Sequence, residues 1–273
     1  MQNFTLDSMR TVLGTVLLAC VLAVPCAQPA AAADARHAAF LKAARAFVVD
    51  HKFPDGEAID KDTIDDDFAR PPGVTTARLA IDKDTIDDDF AKNKLAIADV
   101  NGAGKPELLV RFESGTTASL LEYVCGFDEA SGKVTVEFAG TPGLEYYDNG
   151  CLKEMVSHNQ GLAGEFWPYS FAKYDPKKGK YEMKGSVDAW SSKEYPTNPF
   201  DNNKPFPKAV DAAGDGFVFF ISDESFKGAK GPDTPVDTPV YEAWVKGYIG
   251  GAEPVKMDWV PATADGIKAL ETK

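Results

Sequence analysis

The sequence predicts an α+β protein, a curved antiparallel β-meander flanked by an N-terminal helix and a C-terminal helix. Short β-type runs follow one another between residues 95 and 190, and turn sequences rather than helical patterns separate them. Apolar residues recur at helical spacing in two other places, residues 35–50 and residues 238–250. The elements are taken below in chain order.

The first 33 residues predict a cleaved secretory signal peptide. Met9 and Arg10 supply a short basic start, residues 11–25 are apolar, and small residues at 30–33 suit cleavage. The apolar run is shorter than the roughly 20 residues that a spanning helix needs. Cys20 ends a sequence that resembles a bacterial lipobox, but apolar residues still follow it, so a lipoprotein is the less favoured alternative. We therefore expect a secreted or periplasmic protein.

Composition limits what the remaining chain can be. Residues 34–273, with 44% hydrophobic residues in the whole chain, are enough to bury one core, and we predict a single α+β domain. The net charge is −13 and no dense Lys/Arg stripe is present, which makes nucleic acid an unfavourable partner. The expected partner is an unknown extracellular or cell-envelope ligand, and composition does not indicate an oligomeric state.

Residues 35–50 predict an amphipathic helix, in which Phe40, Ala44 and Phe47 share one face. The segment 58–69 then recurs identically as 80–91, within the acidic stretch 58–91. Its spacing lacks the turn glycine of a calcium loop, and a recent tandem duplication explains the identity. Because the second copy leads directly into the first strand, we expect that copy to be the structural one.

The meander itself is predicted from runs rich in β-branched and aromatic residues. Asp148, Asn149 and Gly150 suit a tight hairpin turn, and longer Asp- and Gly-containing loops precede residues 133 and 180. The predicted strands are 95–98, 107–112, 119–127, 133–138, 144–147, 151–158, 167–174, 180–187 and 216–222.

The C-terminal part is predicted to return to helix. Residues 195–207 read as a long loop, and Pro239 opens a helix whose apolar face includes Tyr241 and Trp244. Gly250 ends this helix, an edge strand is expected at 255–260, and a short final helix at 263–270.

Two cysteines, Cys125 and Cys151, remain after signal cleavage. An even pair in an oxidising compartment predicts one disulfide, which would contribute about 3 kcal/mol in the chain-entropy model. Two buried thiols are the alternative.

The glycine-rich loop that begins at Asp99 is the candidate metal site. Asp99, Asn101, the Lys105 carbonyl and Glu107 supply oxygens at positions where a calcium loop takes them, so weak Ca²⁺ binding is expected. The alternative is a turn in which these side chains accept hydrogen bonds from their own loop amides. A second fragment, with Asp211 and Asp215, is a poorer version of the same site.

The Asp99 loop resembles the repeated loop of FG-GAP and integrin-type propellers. Asp99, Asn101, Gly102, Gly104 and Leu108 match that loop, whereas Ala103 and Glu107 depart from it. A propeller repeats its blade motif several times, so one good copy and one poor copy exclude that fold. The order of elements is also similar to that of secreted bacterial proteins of unknown function, which implies no activity.

Motifs for catalysis are few. The three histidines, His37, His51 and His158, form no metal-binding spacing, and no nucleophile elbow or phosphate loop is present. Aromatic residues between 166 and 195 suit a core role better than sugar stacking, because alternate residues of a strand face the core. We therefore expect a non-enzymatic binding or interaction protein. The alternative is a secreted hydrolase that uses two carboxylates on glycan or cell-wall material.

Overall fold

The computed structural model describes residues 30–54, 56, 59, 92–113, 120–155, 161–229 and 231–272. This range contains helices α1 (Ala30–Asp50), α2 (Thr238–Ile249) and α3 (Ala264–Leu270). All strand pairs in it are antiparallel, which confirms the predicted α+β class. The strands are β1 (Lys94–Ala98), β2 (Glu107–Phe112), β3 (Leu121–Asp128), β4 (Lys133–Gly140), β5 (Glu145–Tyr146), β6 (Cys151–Met155), β7 (Tyr169–Asp175), β8 (Lys180–Ser191), β9 (Thr197–Asn198), β10 (Lys204–Pro205), β11 (Phe217–Ser222) and β12 (Val260–Pro261).

Some predicted features lie outside the described residues. These are the signal peptide up to residue 29, the duplicated segment apart from Ile59, and His158. Helix α1 begins at Ala30, within the predicted cleavage region. Within the described residues, no helix has the length and apolar character needed to cross a membrane.

The meander is divided into two five-stranded sheets, where we expected one. The first sheet has the order β12-β1-β2-β3-β4, and the second has the order β11-β8-β7-β6-β5. The division falls between β4 and β5, at a turn that contains Pro142 and Gly143. Proline has no N–H to donate to a strand ladder, and Gly143 adopts a φ of +98°. The Gly143 amide instead donates to the Glu122 carboxylate.

The two sheets pack face to face, with helices on their outer faces. On β2, Leu108, Val110 and Phe112 belong to the cluster that contains α1 and α3, whereas Leu109 faces the second sheet. This alternation follows from the two-residue period of a strand. Helix α2 covers the other face of the second sheet, where Trp244 is buried. The fold is therefore four layers, helix, sheet, sheet and helix.

The predicted disulfide between Cys125 and Cys151 is wrong, and no bond joins them. Cys125, on β3, lies in the core beneath α1. Cys151, on β6, lies in the core beneath α2. Because both sheets separate the two thiols, they cannot reach the roughly 5.5–6 Å Cα separation that a disulfide needs.

The aromatic run mostly forms core, as predicted. Tyr169 and Phe171 of β7 pack against Trp244, with ring centroids 6.0 and 5.1 Å from it. Trp190 lies in a smaller cluster with Phe206. Trp167 is the exception, since 39% of its surface is exposed.

Candidate functional site

A cleft of about 690 Å³ lies where the two sheets meet. It is lined by the Asp99 loop (residues 99–105), the β3–β4 hairpin, the β7–β8 turn and Arg36 of α1. The first sheet contributes three carboxyls to it, Glu107, Asp128 and Glu137, and the second sheet contributes Tyr174. This cleft is the candidate functional site.

Glu107 is the first residue of β2, and its side chain is buried beneath the Asp99 loop. It accepts hydrogen bonds from the Val100 amide at 2.9 Å and from Asn101 Nδ2 at 2.8 Å. Burial raises the pKa of Glu107 to about 8, although hydrogen bonds from the backbone amides of Val100 and Asn101 act in the opposite direction. Glu107 therefore anchors the loop and is 2% exposed.

Glu137 reaches the cleft because of a β-bulge. Val124 pairs with Phe138 and Cys125 pairs with Val136, so Glu137 is the extra residue on β4. Its carboxyl lies across β3 at Gly126, where a Cβ atom would be 2.0 Å from Oε1. A side chain at residue 126 would therefore displace the Glu137 carboxyl.

Asn101 and Tyr174 complete the polar wall around Glu137. Asn101 Nδ2 lies 3.5 Å from Glu137 Oε2, and the Tyr174 hydroxyl donates to Oε1 at 3.3 Å. Burial raises the pKa of Glu137 to about 7, and it raises the pKa of Tyr174 to about 12. The Asn101 amide thus stands between the two carboxyls, and near neutral pH a large fraction of both is protonated.

Basic side chains surround this polar wall. Arg36 Nη2 and Lys105 Nζ lie 3.1 and 2.8 Å from the same Glu129 oxygen, Oε1. Lys105 holds the pKa of Glu129 below its usual value, with a smaller effect from Arg36. The β7–β8 turn adds three more lysines at residues 177, 178 and 180. The cleft is therefore locally basic in a chain whose net charge is −13.

In the structure, the side chains of the predicted calcium ligands form hydrogen bonds with different partners. Asp99 accepts hydrogen bonds from the Gly102 and Gly104 amides at 3.0 and 2.7 Å. Asn101 Oδ1 accepts from the Ala103 amide, and its nitrogen, rather than its oxygen, faces Glu107. The side chains of Asp99 and Asn101 thus satisfy the amides of their own loop, as in the turn alternative.

The loop also joins the two sheets. Gly102 has a φ of +71°, and a Cβ there would be 2.6 Å from the Asp148 carbonyl oxygen. The Tyr181 hydroxyl, from β8, donates to the Val100 carbonyl at 2.7 Å. The glycine spacing that suggested a metal loop therefore serves close backbone packing against the turn before β6.

The second predicted loop lies away from the cleft, at the start of α2. Asp211 accepts from the Gly214 and Gly216 amides at 2.8 and 3.1 Å. Asp215 Oδ2 accepts from the Thr238 hydroxyl at 2.6 Å. In the part of the chain that the structure describes, no group of three His, Cys, Asp or Glu residues is placed to hold a metal ion.

Sequence reasoning missed Arg36, Glu137 and the lysine turn as site residues. The sequence predicts a hairpin loop at the lysine-rich turn but does not assign its lysines to a site. No sequence pattern marks Glu137 as a site residue, because the direction of its side chain depends on a bulge that forms where two strands pair. No protein-family model, curated protein or solved structure matches this chain.

Proposed function

We propose that this is an exported binding protein whose cleft takes a small, hydroxyl-rich ligand such as a sugar. The proposal is supported by the polar wall of the cleft, where the amide of Asn101, the carboxyl of Glu137 and the phenol of Tyr174 lie together. A protonated carboxyl both donates and accepts, as do vicinal hydroxyl groups. The cleft volume of about 690 Å³ also suits a small ligand. Export rests on the N-terminal sequence.

A carboxylate-dependent hydrolase is the second candidate. The pKa of about 7 at Glu137 suits a general acid, and a second carboxyl, Glu107, is close by. Glycosidases, however, hold the scissile bond between two carboxyls, about 5–5.5 Å apart in retaining enzymes. Here the Asn101 amide occupies that space and Glu107 is buried, which favours binding over hydrolysis.

Weak calcium binding at the Asp99 loop is a separate part of the proposal. Its ligands would be Asp99, Asn101, the Lys105 carbonyl and Glu107, with water completing the shell. The half-buried Asp99 carboxylate accepts hydrogen bonds from two amides and still has lone pairs for a cation. Such an ion would stabilise the loop, and it would lie beside the proposed sugar site because Asn101, Lys105 and Glu107 also line the cleft.

The binding proposal is tested by titrating ¹⁵N-labelled protein with glucose and with N-acetylglucosamine while amide signals are followed by NMR. We expect shifts at Asn101, Gly126 and Lys177. Tyr174→Phe should weaken binding about fivefold, because it removes one hydrogen bond worth about 1 kcal/mol. Tyr195→Phe, outside the cleft, is the matched control and should bind normally.

The two candidates predict different results with chromogenic glycosides. A binding protein releases no chromophore. Turnover that is lost in Glu137→Gln would replace the binding proposal with the hydrolase, and sugars that leave all three amide signals unmoved would contradict the sugar-binding proposal.

A further inference from the structure

Arg36 is a buried cation with an unused donor beside the cleft. Its side chain is 7% exposed, and its guanidinium carbon lies 5.8 Å from the centroid of the Phe127 ring. Nη2 pairs with Glu129, but the buried Nε has no hydrogen-bond partner. An unpaired buried donor costs about 1–3 kcal/mol, and more on a charged group. An acceptor oxygen from a ligand would remove that cost.

The positive charge of the cleft exceeds what its carboxylates neutralise. Arg36 and Lys105 share the single carboxylate of Glu129. Within the described residues, Lys178 pairs with Glu182, whereas Lys177 and Lys180 have no ion pair. Asp128 is occupied by hydrogen bonds from its own hairpin turn.

The two remaining carboxyls reduce this excess only in part. Glu107 accepts hydrogen bonds from the Val100 amide and Asn101, and Glu137 accepts them from Asn101 and Tyr174. Within the described residues, neither carboxyl forms an ion pair with any of the five cationic side chains that line the cleft. An excess of positive charge in a partly enclosed space attracts anions more strongly than the same charges would on an open surface.

We propose that the ligand of this cleft carries an oxyanion, which Arg36 and the lysines of the β7–β8 turn bind while the wall of Asn101, Glu137 and Tyr174 binds its hydroxyl groups. This inference rests on the proposed function and narrows it to acidic sugars. The oxyanion is the carboxylate of a uronic acid or the phosphate of a sugar phosphate. Arg36 suits either group, because a guanidinium presents several donors in one plane.

Isothermal titration calorimetry at pH 6 and low ionic strength tests this with three probes: glucose, glucuronate and glucose 6-phosphate. We expect one or both anionic probes to bind at least about tenfold more tightly than glucose, with the difference shrinking as salt is added. The tighter anion identifies the group. Arg36→Gln should remove the difference between the anionic probe and glucose.

Surface variants keep the test informative if Arg36→Gln folds poorly. The double variant Lys177→Gln/Lys180→Gln should reduce the preference for the anion severalfold. Lys193→Gln, at an exposed lysine outside the cleft, removes one positive charge and should leave the preference unchanged.

Equal affinity for glucose and both anionic probes would overturn the oxyanion inference and leave the sugar-binding proposal standing. An anion preference that survives the Arg36 and double-lysine changes would also overturn it. If none of the three probes binds, this inference fails together with the sugar-binding proposal.

Discussion

At the scale of single residues, Asp99 shows how one carboxylate closes a loop. Both of its oxygens accept backbone amides, at Gly102 and Gly104, and both glycines have positive φ. A positive φ is readily accessible only to glycine, so the sequence specifies this turn locally. A cation bound at this loop would be coordinated by the same Asp99 oxygens.

We predict that millimolar calcium raises the melting temperature of the protein by a few degrees, because an ion that binds only the folded loop stabilises it. Asp99→Ala should abolish the rise. Asp233→Ala, at an exposed aspartate in the loop before α2, is the control and should keep it. Differential scanning calorimetry with and without a chelator measures the shift. No rise in the unmodified protein would exclude calcium binding at this loop.

At the scale of elements, one aspartate adds hydrogen bonds to the apolar packing that holds helix α2 on the second sheet. Asp223, after β11, accepts hydrogen bonds from Trp244 Nε1 at 2.8 Å and from the Tyr248 hydroxyl at 2.5 Å. Burial alone would raise the pKa of Asp223, but the hydrogen bonds from Tyr248, Ser225 and Trp244 outweigh it and lower the pKa. The helical spacing of apolar residues predicts the buried face of α2, whereas the sequence does not predict the hydrogen bonds of this helix to Asp223.

Asp223→Ala should lower the free energy of unfolding by about 2 kcal/mol, because it leaves the buried Trp244 Nε1 without an acceptor. Urea denaturation followed by tryptophan fluorescence measures the change. Asp233→Ala removes an equal charge from an exposed site and should change stability by less than about 0.5 kcal/mol. Equal losses in the two variants would contradict this role for Asp223.

At the scale of the whole molecule, the layer between the two sheets contains carboxyls that resist ionisation. Glu107 and Glu137 have folded pKa values of about 8 and about 7, against an ordinary value of 4.5. The folded protein therefore holds protons that the unfolded chain has released at the same pH. Under this linkage the stability contribution is complete below pH 4.5 and is lost as pH rises through 7 to 8.

We predict that the free energy of unfolding falls by about 2 kcal/mol or more between pH 5 and pH 8, since each unit of pKa shift corresponds to about 1.4 kcal/mol. Urea denaturation at four pH values across this range gives the slope. Glu107→Gln, which cannot ionise, should flatten it. The carboxylates with lowered pKa, such as Asp223, act at lower pH and do not oppose this trend. Stability that rises from pH 5 to pH 8 would contradict the prediction.

The local features of this fold are readable in the sequence. The spacing of Phe40, Ala44 and Phe47 specifies the buried face of α1, and the turn sequences around Gly102 and Gly150 specify tight turns. These follow from the periods of helix and strand and from the conformational freedom of glycine, which depend on neighbouring residues in the chain.

The candidate site depended on tertiary structure. Which strands pair, and where the meander divides into two sheets, decided that Cys125 and Cys151 lie on opposite sides of the molecule. The bulge on β4 directed Glu137 into the cleft, and the packing of α1 brought Arg36 beside it. These positions result from contacts between residues far apart in the chain. The composition and spacing of any one segment therefore do not predict them. The sequence thus determined the elements and their buried faces, and only the packing of the two five-stranded sheets and α1 determined the cleft.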